Sequence, residues 1–207
     1  MQLTQSQYEL CTFLNDCVYN ELAYPPMFGM TKRIVKLSGL RVEVFDFPQA
    51  IFVVYCGTNS WRDWGANIQV GLGITPRQYK QALAIVKDEL CRAQIKNKPL
   101  IVSGHSLGGG LCEYCIANLG NVEYDNYIGI TYNGCGVKHL GGYVKKGKIL
   151  HVGTSKDILN GITNRLPGKK YLKHYEDINI VKDHTTWNPV KSHSNFEVMM
   201  KYKIEKQ

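Results

Sequence analysis

An alcohol held at a sharp corner, a carboxylate and an imidazole give this chain the side chains for acyl transfer. The alcohol is Ser106 in Gly104-His105-Ser106-Leu107-Gly108. Pro99 to Val102 before it form a short apolar run, and Leu111 to Leu119 after it carry helical spacing. Strand, tight turn and helix around Gly-x-Ser-x-Gly make a nucleophile elbow, which strains the serine backbone and needs small neighbours two residues away. Ser106 would project its hydroxyl into a cleft. The N–H of Leu107, at the helix start, would face a developing oxyanion.

Such a serine needs a base and an acid placed beyond the carboxyl ends of parallel strands, in the chain order serine, acid, histidine. Asp157 follows the strand-like Lys148 to Val152 by a few residues. Asp125 precedes its strand and falls at the wrong end, while Asp177 and Asp183 remain as late alternatives. Of six histidines, His105 is expected to pack away from the hydroxyl, His151 to be a hydrogen-bonded core residue, and His139 to come too early. Among His174, His184 and His193, we prefer His193. It follows a polar loop and precedes a helix-like segment, from which an imidazole reaches a cleft; His184 is the runner-up. The second oxyanion donor should follow a strand that precedes the elbow. Thr58, after Val54-Tyr55-Cys56-Gly57, has that position, and an ordinary turn with a capping threonine explains it equally well on chemistry alone.

The elements that must hold these groups follow from periodicity. Residues 4–20 carry Leu10, Phe13, Leu14, Cys17 and Val18 at amphipathic helical spacing, with no basic residue to favour a membrane surface. Tyr24-Pro25-Pro26 breaks into a loop, and Arg33–Leu37, Arg41–Phe47 and Ala50–Cys56 alternate as strands with turns at Ser38-Gly39 and Phe47-Pro48. Thr75-Pro76-Arg77-Gln78 forms a capping box for a helix with Tyr79, Ala82, Leu83, Val86 and Leu90 on one face. Tyr127–Tyr132 is a further strand. The alternation of strand and helix predicts a mostly parallel sheet in a single domain spanning residues 1–207.

Composition narrows the setting. The chain has 207 residues, a net charge of +8 and seven cysteines. An odd number of cysteines without metal-ligand spacing fits reduced thiols and a cytoplasmic protein. Cys112-Glu113-Tyr114-Cys115 lies within the helix after the elbow, so its two sulfurs are expected to pack on the sheet rather than do redox chemistry. There is no secretory leader pattern and no apolar run long enough to span a bilayer. The positive charge suits an anionic membrane surface. Its lysines are not interleaved with aromatics as in a nucleic-acid module, so no nucleic acid is expected as a partner.

These residues resemble the class 3 lipases, the family that includes the fungal triacylglycerol lipases. Phe52-Val53-Val54-Tyr55-Cys56-Gly57-Thr58, with Asp63-Trp64 and Asn67, is similar to the family's oxyanion strand. Gly104-His105-Ser106-Leu107-Gly108-Gly109 matches its elbow, and Thr131-Tyr132-Asn133-Gly134-Cys135-Gly136 its next strand end. Asp157, and His193 with Ser194 and Asn195, fall where its acid and histidine fall. The resemblance implies an α/β-hydrolase fold and a Ser106–Asp157–His193 triad that hydrolyses lipid esters without metal or cofactor. It also implies an oxyanion hole from Thr58 and Leu107. Cys56 stands where the family commonly has arginine. The segment from Asp63 to Thr75 is short and lacks a His-x-Gly-Phe run, as in small intracellular, bacterial or phage members. A catalytically silent lipid- or partner-binding module, or a thioesterase or peptidase, would keep the same residues.

Overall fold

A computed structural model of the chain describes residues 1–23, 29–37, 40–56, 77–120, 122–157 and 174–204. The expected loop at Tyr24-Pro25-Pro26, the turn at Ser38-Gly39 and the capping residues Thr75 and Pro76 lie outside them. The framework is a sheet whose seven described strands lie in chain order: β1 (Thr31–Leu37), β2 (Leu40–Asp46), β3 (Ile51–Tyr55), β4 (Leu100–His105), β5 (Tyr127–Tyr132), β6 (Ile149–Thr154) and β7 (Ile178–Val181). β1, β2 and β3 pair antiparallel. From β3 to β7 every pairing is parallel. The carboxyl ends of β3 to β7 therefore share one edge, and the expectation of a mostly parallel sheet is met.

Alternation along the buried strands divides the core into two layers. Ile51, Val53 and Tyr55 of β3, with Leu100 and Val102 of β4, face α2 (Arg77–Ile95) and α3 (Leu107–Asn118). Phe52, Val54, Ile101, Ile128, Ile130 and Tyr132 face the opposite layer, formed by α1 (Gln5–Asn20) and the short α5 (Phe196–Met199). Between β7 and α5 comes α4 (Pro189–His193).

α1 starts where Thr4 and Gln7 form a reciprocal capping box, and ends at Glu21, whose φ of 53° is left-handed. Its buried stripe is Tyr8, Cys11, Leu14 and Val18, each contributing about 1.5–3 kcal/mol through burial at most. Two polar residues on the same stripe bond the sheet: Thr12 bonds the Tyr132 hydroxyl at 2.9 Å, and Asn15 donates to Ser103 Oγ at 2.8 Å. Core docking, not membrane contact, accounts for this helix. α2 buries Tyr79, Ala82, Val86 and Leu90, as its periodicity requires.

Cys112 and Cys115 both lie in the layer between α3 and the sheet. Cys112 Sγ donates to the Val102 carbonyl at 3.2 Å, and the Tyr55 hydroxyl lies 3.4 Å from Cys115 Sγ. Burial pushes both thiols up, Cys115 to about 12, so neither is a ready nucleophile. β7 was not anticipated from the sequence. It is a four-residue edge strand, half-buried apart from the exposed Ile180, and so carries too short an alternation to stand out.

Candidate active site

The corner between β4 and α3 is built by backbone contact. Ser106 has φ 56° and ψ −120°, a conformation costly for any residue with a Cβ. Three hydrogen bonds hold it. Ser106 N–H donates to the Tyr132 carbonyl at 3.0 Å, and the Ser106 carbonyl accepts from Gly110 and Cys135 N–H, each at 3.2 Å. A Cβ on Gly104 would come within 2.3 Å of the Gly108 backbone, and one on Gly108 within 2.4 Å of the Tyr55 carbonyl oxygen. Only glycine lets β3, β4 and α3 converge so closely. Ser106 is 4% exposed. The N–H of Leu107 belongs to the first turn of α3, where no intrahelical acceptor exists.

Thr58 lies outside the described residues. The chain leading to it does not: Tyr55 ends β3 at the active edge, and the Tyr55–Cys56 backbone presses against Gly108.

Asp157 and His193 are brought together from the turn after β6 and the end of α4. Asp157 sits three residues beyond β6, with its N–H on the Thr154 carbonyl at 3.1 Å. Its Oδ1 makes a short hydrogen bond with Nδ1 of His193, the last residue of α4. Each residue is 2% exposed. This contact leaves Nε2 as the ring nitrogen turned away from the carboxylate.

The backbone of His193 is pinned as firmly as its ring. Its carbonyl accepts from Asn133 Nδ2 at 2.8 Å and from His105 Nε2 at 2.6 Å. A carbonyl can only accept, so the His105 proton is on Nε2. Burial, then the nearby His193, drives the His105 pKa well below its ordinary value, and the ring stays neutral. His105 also packs edge-on against Tyr19, with centroids 4.6 Å apart, and against Phe196 at 5.1 Å. It is the packing residue expected, and also a clamp on the loop that carries His193. The His105 and His193 rings lie 4.6 Å apart, so the elbow strand and the histidine loop are direct neighbours.

Asn133 is the positioning residue that motif reading undervalued. It follows β5 with φ 44°, is 2% exposed, and accepts from Thr154 N–H at 2.8 Å while donating to His193. Thr154 Oγ1 donates in turn to the Ser192 carbonyl at 2.9 Å. Its sequence signals were its place just beyond a buried strand, next to Gly134, and its position in the Thr131–Gly136 stretch that resembles the class 3 lipases.

The rivals fall elsewhere. His184 is exposed in the loop after β7, and Asp177 is exposed before it. Asp125 pairs with Lys145 and Lys148 before β5, at the opposite edge. Asp183 is buried, but its Oδ1 accepts from Thr185 N–H and Oγ1, both at 2.8 Å, and Asn195 Nδ2 lies 3.3 Å from its Oδ2. Burial raises its pKa; hydrogen bonds from Ser192, Thr185 and Asn195 outweigh that and hold it at about 2. Asp183 is thus an anchor for the loop around His193. His151 bonds Thr131 Oγ1 at 2.7 Å and His174 bonds Glu113 at 2.8 Å, both beneath α3. Those three residues, Glu113, His151 and His174, form the only described cluster able to hold a metal ion. Among the described residues no helix is long and apolar enough to cross a membrane.

The fold has known counterparts. The lipase of a fungal lipase–inhibitor complex superposes with a TM-score of 0.58 at 14% identity, covering 86% of this chain and 79% of that one. A second fungal lipase gives 0.59 at 15% identity, covering 88% and 82%. The architecture is the α/β-hydrolase fold. In sequence, an extracellular phospholipase A1 of Serratia liquefaciens is 33% identical over 100 residues. That match takes in 48% of this chain and only 28% of the relative's length. A model of the phospholipase-like family, the Tle-like phospholipase domain, matches residues 21–140, more than half of the chain. The chain belongs to the Tle-like phospholipase domain family.

Proposed function

We propose that this protein hydrolyses carboxylic ester bonds of phospholipids through Ser106, His193 and Asp157. The observation that carries the reading is the paired imidazole and carboxylate packed on His105, the residue before a strained serine, at the edge where parallel strands end. His193 Nε2 takes the proton of Ser106 as its oxygen attacks the ester carbonyl. Asp157, on Nδ1, holds the ring's orientation and stabilises the imidazolium. The N–H groups of Leu107 and Thr58 stabilise the tetrahedral oxyanion. The imidazolium then protonates the leaving alcohol, and water, activated by the same ring, releases the fatty acid from Ser106.

Phospholipid is favoured over neutral lipid by the family's description and by the Serratia liquefaciens relative, named a phospholipase A1. The net charge of +8 suits an anionic lipid surface. We read residues 1–207 as one catalytic domain similar to small class 3 lipases. All seven cysteines are free, which fits synthesis in the cytoplasm; a relative named extracellular fits later release.

The test is Ser106→Ala against the parent on mixed-chain phosphatidylglycerol and phosphatidylcholine vesicles, on thioesters and on amides. Fatty acid release from phospholipid should be lost in the variant, with the circular dichroism unchanged. Chains distinguished by position would show which glycerol ester is cut. A parent that hydrolyses none of these and resists fluorophosphonate labelling at Ser106 would instead be a silent binding module.

A further inference from the structure

A second group of titratable side chains lies under α3, away from the Ser106 hydroxyl, and the hydrolase reading does not use it. Glu113 of α3 is fully buried. Its Oε1 accepts from Tyr175 N–H at 2.8 Å, and its Oε2 lies 2.8 Å from Nδ1 of His174. His151, from β6, is 1% exposed and points to the same place from the sheet. Thr131 Oγ1 holds its Nδ1 at 2.7 Å, while its Nε2 stands 3.7 Å from Glu113 Oε1. That Nε2 is buried and has no hydrogen-bond partner among the described residues.

This arrangement is poorly served by protons alone. Neither neutral tautomer of His151 satisfies both of its ring nitrogens. With its proton on Nδ1 toward Thr131, a bare Nε2 lone pair faces a buried carboxylate, and two acceptors confront each other. With the proton on Nε2, 3.7 Å is too far for a hydrogen bond to Glu113. A cation between them removes the conflict. One nitrogen of a ring held by a hydroxyl, with the other bare and aimed at a carboxylate and a second imidazole, is how metal-binding histidines are oriented.

We propose that Glu113, His151 and His174 bind a divalent ion of borderline softness, with Zn²⁺ as the best fit. The three ligand atoms lie within 4.8 Å of one another. At bond lengths near 2.1 Å, ligands on tetrahedral zinc stand about 3.4 Å apart, so small side-chain movements close the site. Two nitrogens among the donors disfavour Ca²⁺ and Mg²⁺, which prefer oxygen. For His174 Nδ1 to hold the ion, its ring proton moves to Nε2, and protons compete with the metal for both rings, so affinity rises with pH. Its role is to tie α3, which presents the Leu107 N–H, to β6, which leads to Asp157, and to the chain entering β7. The three ligands come from separate elements and make no motif. For that reason the sequence, read for metal-ligand spacing, predicts no metal.

The experiment uses the full chain, stripped with chelator and titrated with Zn²⁺ and Co²⁺. One equivalent of Zn²⁺ should bind. At a free concentration 100-fold above Kd, the melting temperature should rise by about 5–10 °C. Co²⁺ should give visible d–d bands without a thiolate charge-transfer band. Glu113→Gln and His174→Gln should each lose the stoichiometric ion and the melting shift. If one of them fails to fold, the other decides. A parent that binds no Zn²⁺, or variants that keep both the ion and the Co²⁺ spectrum, overturn the proposal. Ser106→Ala should bind Zn²⁺ like the parent, so loss of the hydrolase reading and loss of the metal site are distinguishable.

Discussion

The two halves of the candidate site are made by different means. The nucleophile half is local: seven consecutive residues, Gly104 to Gly110, contain the strand end, the strained serine and the helix start. Its geometry comes from backbone packing, with Gly108 against Tyr55 and Ser106 bonded to Tyr132. The acid–base half is assembled from side chains far apart in the chain. His105, Asn133, Thr154, Asp157 and Ser192 all serve to hold His193 or its loop. Backbone geometry is hard to alter without unfolding, whereas a side-chain network can be weakened one bond at a time. Substitutions in the two halves should therefore fail differently, in fold on one side and in turnover on the other.

Asp157→Asn is the sharpest probe of the distributed half. It keeps the shape but removes the charge that stabilises the His193 imidazolium, and it favours the wrong tautomer. The kcat on phospholipid should fall about 10³–10⁴-fold with the melting temperature nearly unchanged. A loss of less than tenfold would assign the acid elsewhere.

Gly108→Ala probes the local half. Its new Cβ would sit 2.4 Å from the Tyr55 carbonyl oxygen, so β3 or α3 must shift. Urea unfolding should show a loss of about 2–3 kcal/mol, along with the activity. Full stability in this variant would break the claim that backbone contact specifies the elbow.

Asn133→Ala lies on the boundary between the halves. It removes the acceptor of Thr154 N–H and one of the two donors to the His193 carbonyl, at a cost of about 1–3 kcal/mol. Turnover should drop with KM little changed, because the imidazole loses alignment while the substrate surface is untouched. A rise in KM alone would make Asn133 a substrate contact instead.

The smallest effect is expected at Asp183, held at about 2 in the folded chain against roughly 3.9 in an unfolded one. A lowered carboxyl pKa stabilises the fold above the unfolded value, and that contribution disappears as pH falls from about 4 to 2. Unfolding measured across this window should show an acid-dependent loss of at most about 2 kcal/mol that Asp183→Asn abolishes. An unchanged slope would remove Asp183 as the anchor of the His193 loop.

The local half was legible because every constraint on it lies within one stretch. A serine at a corner this tight requires glycines at fixed offsets and apolar residues before and after, and all appear in order. The layers of the sheet were legible for a similar reason. α1 and α2 show their buried faces at helical spacing, and Ile51 to Tyr55 is apolar throughout because both faces are covered. Chain order and strand ends narrowed the acid to a few aspartates and the base to a few histidines. The pairing of Asp157 with His193 is a different kind of fact, set by where β6 and α4 end in space. So are the hold of His105 on the His193 carbonyl, the bridging by Asn133, and the meeting of Glu113 with His151 and His174. Each depends on the sheet bringing distant residues within about 3–4 Å, a distance that spacing along a chain does not encode. The sequence by itself determined the strained serine corner and the layered sheet, since those follow from local sterics and burial. Only the tertiary structure decided which carboxylate serves which imidazole, because hydrogen bonds are short and the residues that make them are many turns of chain apart.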